Sequence, residues 1–171
     1  MKHILVVVDI QKDFVDGALG TAEAVAIVEN AAKRIREFDG DIFVTYDTHF
    51  ENYMQTSEGV KLPVPHCIKG TDGWRLDKTV EQALADREYT AVEKLTFGSK
   101  ELAEYLSNVD FEELELVGLC TDICVISNAL LLKAYYPEKT IKVDSTCCAG
   151  VTPASHGAAL DTMKMCQIEV I

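Results

Sequence analysis

The sequence predicts an α/β fold: a three-layer sandwich around a six-stranded, mainly parallel sheet. Three features carry that expectation. Short β-branched runs alternate with helical patterns, as in chains that build a parallel sheet with helices on both faces. The first run, Ile4, Leu5, Val6, Val7 and Val8, is apolar at every position, which suits a central strand covered on both sides. No repeat or low-complexity tract interrupts the alternation. A length of 171 residues is close to that of one ordinary domain, so a single domain over 1–171 is expected.

The elements follow in order. After the strand at 4–8, residues 22–38 read as a helix, with Val25, Val28, Ala32 and Ile35 on one stripe and charges opposite. Gly40 closes it, and Ile42 to Tyr46 make a second strand. Residues 47–75 break the rhythm with two prolines, several glycines and two histidines. A loop this long without structure of its own is uncommon in a compact domain and is usually functional. The alternation then resumes with a helix at 76–85, a strand at 89–92, a helix at 99–106 and a strand at 113–117. A helix at 122–135, a strand at 140–143, a helix at 153–163 and a strand at 167–170 complete it.

Composition narrows the function classes. Apolar residues make up 48% and charged residues 26%, enough for a full core and too balanced for disorder. Sixteen Lys and Arg against 28 Asp and Glu give a formal net charge of −12. That balance argues against nucleic acid and against an anionic membrane surface as partners. The apolar run at 4–8 is too short for a signal peptide and ends at Asp9, and the uncharged stretch 123–132 is too short to span a bilayer. A cytoplasmic protein with six reduced thiols is expected.

Parallel sheets bind ligands beyond the carboxyl ends of their strands. Asp9 follows the first strand, Asp47 and His49 the second, Lys94 the third, and Cys124 comes just after the fourth. Cys124 falls in a strand–turn–helix passage, Val117 to Val125, which Thr121 or Asp122 can cap. In the first helical turn, unpaired amides, the helix dipole and a nearby lysine would lower a thiol pKa and make a nucleophile. The alternative is a buried cysteine packing as a small hydrophobe. Asp9, ending an apolar strand, is a candidate general base or else a turn cap. Lys94 would supply positive charge to the pair, or else pair with Glu93 in solvent.

A metal site is also legible. Asp47 and His49 sit two apart at a strand end and so face the same way. His66 and Glu58 lie in the same long loop, and the nitrogen and oxygen set suits Zn²⁺, Fe²⁺ or Mn²⁺. A thiolate cluster from Cys120, Cys124, Cys147 and Cys148 is weighed against this, but no C-x-x-C pair supports it. Cys147, Cys148 and Cys166 read as interior thiols, and His156 as a solvated surface residue.

With these residues assembled, the sequence resembles the nicotinamidase/isochorismatase-like cysteine hydrolase family over nearly its whole length. The matching pieces are Asp9 to Phe14, Asp47-Thr48-His49, Lys94 followed by Phe97-Gly98-Ser99, and Gly118 to Val125. The resemblance implies the isochorismatase-like fold, an Asp9–Lys94–Cys124 catalytic triad and a cis peptide at Leu119–Cys120. It further implies an oxyanion hole from the amides of Cys120 and Cys124. It assigns Asp47, His49 and His66 to a divalent ion, Zn²⁺ first and Fe²⁺ or Mn²⁺ as alternatives, with Glu58 as a fourth ligand. Phe14, Leu19, Trp74 and Phe97 are expected around the substrate ring by position. Gly98 stands where the family pattern commonly has serine. The implied activity is cleavage of a small carboxamide, nicotinamide first, by a homo-oligomeric enzyme. An N-carbamoyl or ureido amidohydrolase and a non-enzymatic binding domain on the same fold are the alternatives.

Overall fold

The computed structural model describes residues 2–171. A six-stranded sheet has the order β3-β2-β1-β4-β5-β6, with β1 at His3–Val8, β2 at Asp41–Asp47 and β3 at Thr90–Lys94. The other half is β4 at Glu113–Leu119, β5 at Thr140–Ala149 and β6 at Glu169–Val170. Every neighbouring pair is parallel, so the sheet is wholly rather than mainly parallel. Strand order reverses between β1 and β4, and that switch point opens a crevice at the carboxyl edge.

Strand β1 shows why both faces are covered. Leu5 and Val7 pack in one core with helix α1 (Lys12–Val15), helix α2 (Ala22–Glu37) and Val80, Ala83 and Leu84. Ile4, Val6 and Val8 pack in a second core, with Leu102, Leu106, Val125, Ala129 and Met163. All five residues from Ile4 to Val8 are wholly buried, which explains the unbroken apolar run.

The long 47–75 segment is not structureless. It holds a 3₁₀ turn at Tyr53–Gln55 and a short helix α3 at Ser57–Lys61, capped by the Thr56 side chain accepting from the Gly59 amide. The remaining helices are α4 (Lys78–Leu84), α5 (Lys100–Leu106), α6 (Ile126–Tyr135) and α7 (Pro153–Met165). The predicted helix at 122–135 is divided: Thr121–Val125 forms a single π-type turn before α6. Strand β5 runs past Val143 to Ala149. Asp144 Oδ1 accepts from the Thr146 amide and hydroxyl in a local irregularity, and pairing resumes at Gly118 with Cys148. The polar run Asp144-Ser145-Thr146 therefore marks a shifted register and not a strand end.

Two smaller expectations are corrected. Cys166 is exposed, because α7 ends at Met165 and turns it outward, whereas Cys147 and Cys148 are buried. His156 is half-buried with Nδ1 2.8 Å from the Thr121 hydroxyl, since α7 packs on the π turn. All six cysteines are free thiols. No helix among the described residues is long and apolar enough to cross a membrane.

Candidate active site

The carboxyl edge brings three separated residues together. Lys94, the last residue of β3, is wholly buried, and its ammonium lies 2.7 Å from Asp9 Oδ2. The same nitrogen is 3.2 Å from Asp47 Oδ1, 3.2 Å from the Thr96 carbonyl and 3.4 Å from the Cys124 sulfur. Glu93, its sequence neighbour, pairs instead with Lys69.

Backbone conformation fixes this convergence. Asp9 has φ +48°, in the left-handed region that non-glycine residues seldom adopt. Gly118 has φ +127°, and a Cβ there would lie 2.1 Å from the Val8 carbonyl oxygen. Only glycine lets the end of β4, and so the Cys124 turn, approach β1 this closely. The peptide Leu119–Cys120 is cis. The Thr45 hydroxyl donates to Asp9 Oδ1 at 2.6 Å. Asp9 Oδ2 meets Lys94 as an ion pair but has no donor at hydrogen-bonding angles.

The electrostatics differ from the sequence expectation for the sulfur. Burial pushes the Cys124 thiol up, and nearby Asp9 and Asp47 add to this, while Lys94 opposes it. Desolvation wins because the sulfur is buried away from water and two carboxylates lie near it, and the expected lowering by a helix terminus is outweighed. Burial likewise raises Asp9, with Lys94 acting against the shift. Lys94 is held well above the ordinary lysine range: burial works against its charge, but Asp9, the cysteine sulfur and Asp47 overcome it. The resting group thus pairs a neutral thiol with a carboxylate of raised proton affinity beside a fixed cation.

A second cluster adjoins the first through Asp47. Asp47 Oδ2 lies 3.1 Å from His49 Nε2 and 3.6 Å from His66 Nε2. Glu58 Oε1, on α3, lies 3.6 Å from His49 Nε2 and 3.5 Å from His66 Nε2. A tetrahedron around zinc, with bonds of about 2.0–2.2 Å, has edges of about 3.3–3.6 Å. Four of the six donor–donor distances, 3.1–3.6 Å, lie at or near those edges, all four donor atoms lie within 4.8 Å of one another, and the nitrogen–oxygen set fits a divalent ion. His66 Nδ1 donates to the Val64 carbonyl at 2.8 Å, which leaves Nε2 facing the cluster. Burial acts against charge on His66, but Asp47 and Glu58 hold it up to about 10. Asp47 stays well below the usual carboxylate range, because the hydrogen bond with His49, the nearby His66 and the Lys94 charge overcome its burial.

Both clusters border one cavity of about 500 Å³, within the range of small-ligand sites. Phe14, Leu19 and Phe97 line it, together with Cys120, Ile123 and Cys124. Trp74, expected at the ring, does not. Its indole lies on Tyr46, with Nε1 donating to the Thr48 hydroxyl at 3.0 Å, because the turn that carries it is held by Gln11 and Asp13, which donate to the Trp74 and Gly73 carbonyls. Its role there is to pack the loop base. The Cys120 amide donates to no protein acceptor among the described residues.

Sequence reasoning missed several supporting residues. Gln11, wholly buried, clamps the Asp47 backbone in both directions, accepting from its amide at 2.8 Å and donating to its carbonyl at 2.9 Å. Asp13 accepts from the Cys67 amide at 2.8 Å, which anchors the residue after His66. Tyr53 stacks edge-on against His49 and His66 at 4.7 and 5.1 Å. Gln11 and Asp13 stand inside the stretch Asp9 to Phe14, and polar residues right after a buried strand are the available signal.

A family model described as the Isochorismatase domain matches residues 3–171. The chain belongs to the isochorismatase family. An isochorismatase family protein of Bacillus subtilis, PncA, is 32% identical, with 94% of this chain and 93% of that protein covered. The nicotinamidase/pyrazinamidase of Mycobacterium tuberculosis is 27% identical over 98% of this chain and 97% of its own. A crystal structure of nicotinamidase PncA from Bacillus subtilis superposes with TM-score 0.85 at 26% identity, covering 99% of both chains. The chain is a hydrolase acting on non-peptide C–N bonds, and its six-stranded sheet is the family's fold.

Proposed function

We propose that this chain hydrolyses nicotinamide, or a closely related aromatic carboxamide, to the acid and ammonia through a thioester on Cys124. The observation that carries the reading is the contact of one buried ammonium with Asp9, Asp47 and the Cys124 sulfur at the wall of the cavity.

Asp9 takes the thiol proton as sulfur attacks the carbonyl carbon, and the raised proton affinity of both groups suits a transfer between them. Lys94 compensates the charge that forms on sulfur and then on Asp9. The amides of Cys120 and Cys124 receive the carbonyl oxygen as it becomes an anion, an interaction worth several kcal/mol in comparable sites. The C–N bond breaks as Asp9 returns the proton to nitrogen, releasing ammonia. Water then enters, gives a proton to Asp9 and its oxygen to the thioester carbon. The acid leaves and the proton returns to sulfur. Asp47, His49, Glu58 and His66 would hold a divalent ion, zinc first, which supplies a Lewis-acid point for orienting a ring nitrogen. Phe14, Leu19 and Phe97 give the ring an apolar wall. Six free thiols support a reading of this chemistry as cytoplasmic.

The test is ammonia release from nicotinamide, pyrazinamide and a set of ureides by wild type and Cys124→Ala. The expected result is turnover of the aromatic amides, its loss in the variant, and an unchanged melting temperature. Wild-type release of carbon dioxide with ammonia from ureides alone would replace this reading with an N-carbamoyl hydrolase. Near wild-type activity of Cys124→Ala would eliminate the thioester.

A further inference from the structure

Residues 95–99 connect β3 to α5 and contribute Leu95, Thr96 and Phe97 to the cavity wall. Leu95 and Phe97 are exposed, and no backbone–backbone hydrogen bond ties residues 95–98 among the described residues. The segment nevertheless holds Phe97 at the wall of the cavity that Cys124 also lines. Lys94 donates to the Thr96 carbonyl at 3.2 Å and the Thr96 hydroxyl to the Gly98 carbonyl at 2.7 Å; the restraint on Phe97 and Ser99 comes from α6.

Asn128 is wholly buried on a helix whose neighbouring positions, Ala129 and Leu132, are apolar core. Its Nδ2 donates to the Phe97 carbonyl at 3.1 Å and to the Cys124 carbonyl at 2.8 Å. Its Oδ1 accepts from the Ser99 amide at 2.9 Å. Both amide hydrogens and the carbonyl are thus used, on the nucleophile turn and on both sides of Gly98. Gly98 itself touches α6 so closely that a Cβ would lie 3.2 Å from the Ser127 carbonyl oxygen and 3.4 Å from Leu131 Cδ2. A buried amide spanning two chain segments is costly unless fully satisfied, and fully satisfied it specifies one arrangement.

We propose that Asn128 is a positioning residue that docks the 95–99 segment onto the Cys124 turn, and so sets the width of the cavity mouth above the sulfur. It touches neither substrate nor reacting atoms. It acts through Phe97, whose carbonyl it holds, and through Cys124, whose carbonyl it holds from the next helical turn. Gly98, at the position where serine is common in the family pattern, provides the close approach that brings the segment within reach of the amide.

The inference takes its turnover readout from the nicotinamidase reading, so the experiment has a second arm that does not. In Asn128→Ser, which keeps a polar group but cannot reach both carbonyls, kcat/KM for nicotinamide is expected to fall at least about tenfold, with KM rising. At the same time, iodoacetamide should alkylate Cys124 at least about threefold faster, because the mouth loosens. Peptide mass spectrometry should show Cys67 and Cys148 as protected as in wild type. Lower turnover with a more accessible nucleophile is a pairing that loss of stability alone does not produce. Asn128→Asp, which keeps the Ser99 acceptor and loses both donors, should show the same pattern. Unchanged KM and unchanged Cys124 alkylation overturn the proposal, as does a uniform rise in labelling of all buried thiols. Failure of both variants to fold would assign Asn128 to the fold alone and overturn it too. A wild type inert on nicotinamide would sink the substrate reading while leaving the alkylation comparison decisive.

Discussion

Two ion pairs against the same sheet, one half-buried and one fully buried, do different work. Glu115, on β4 and 2% exposed, is met by Arg34 of α2 through two hydrogen bonds of 2.6 Å, one to each carboxylate oxygen. At the carboxyl edge, Lys94 is shared among Asp9, Asp47, a carbonyl and a sulfur, and Asp9 Oδ2 has no directed donor. The first pair is closed: a planar guanidinium matches a carboxylate and both oxygens are used. The second is shared, with two acids around one ammonium that also meets a carbonyl and a sulfur. Saturation marks a structural pair, and incomplete saturation beside a cavity marks a group that can change charge.

Substitutions can break or sharpen that contrast. Asp9→Asn should have the largest effect, lowering kcat for nicotinamide by about 10³-fold or more, since no other group can take the thiol proton. Steady-state ammonia assays on folded protein decide this, and retention of a tenth of wild-type kcat would remove Asp9 from the role of base. Lys94→Met should cost about 10²-fold in kcat and also lower the melting temperature, because it strands two buried carboxylates. Glu58→Gln should act more mildly, weakening metal retention by about 10–100-fold in chelator titrations and raising KM more than it lowers kcat. Metal content equal to wild type would place Glu58 outside the site. Arg34→Met should leave kcat and KM of the folded enzyme unchanged while destabilising it by about 3 kcal/mol in denaturant unfolding. A change in turnover there would mean that the closed pair is coupled to the shared one.

Much of this was legible in the sequence because strand ends are predictable. An apolar run such as Ile4 to Val8 declares both its burial and the place where it stops, so Asp9 is marked by the chain itself. Asp47 and His49 are marked in the same way, by a period of two at the end of β2. Trp74 was misplaced because a large aromatic in a loop carries no periodicity that says which surface it will cover. Asn128 passed unnoticed because one amide in an uncharged stretch, 123–132, says nothing of the carbonyls it will meet.

The sequence by itself determined the layers of the fold, the sheet edge that bears the chemistry and the residue types gathered there, because hydrophobic period and strand termini are local properties. The tertiary structure alone decided the proton affinities and the bracing. The Cys124 thiol is pushed up rather than down because burial depends on what folds over it. Gly118 and Asn128 matter through contacts with residues far away in the chain, Val8 in one case and Phe97 with Ser99 in the other. Desolvation and through-space hydrogen bonds depend on distance in three dimensions, which no spacing along the chain encodes.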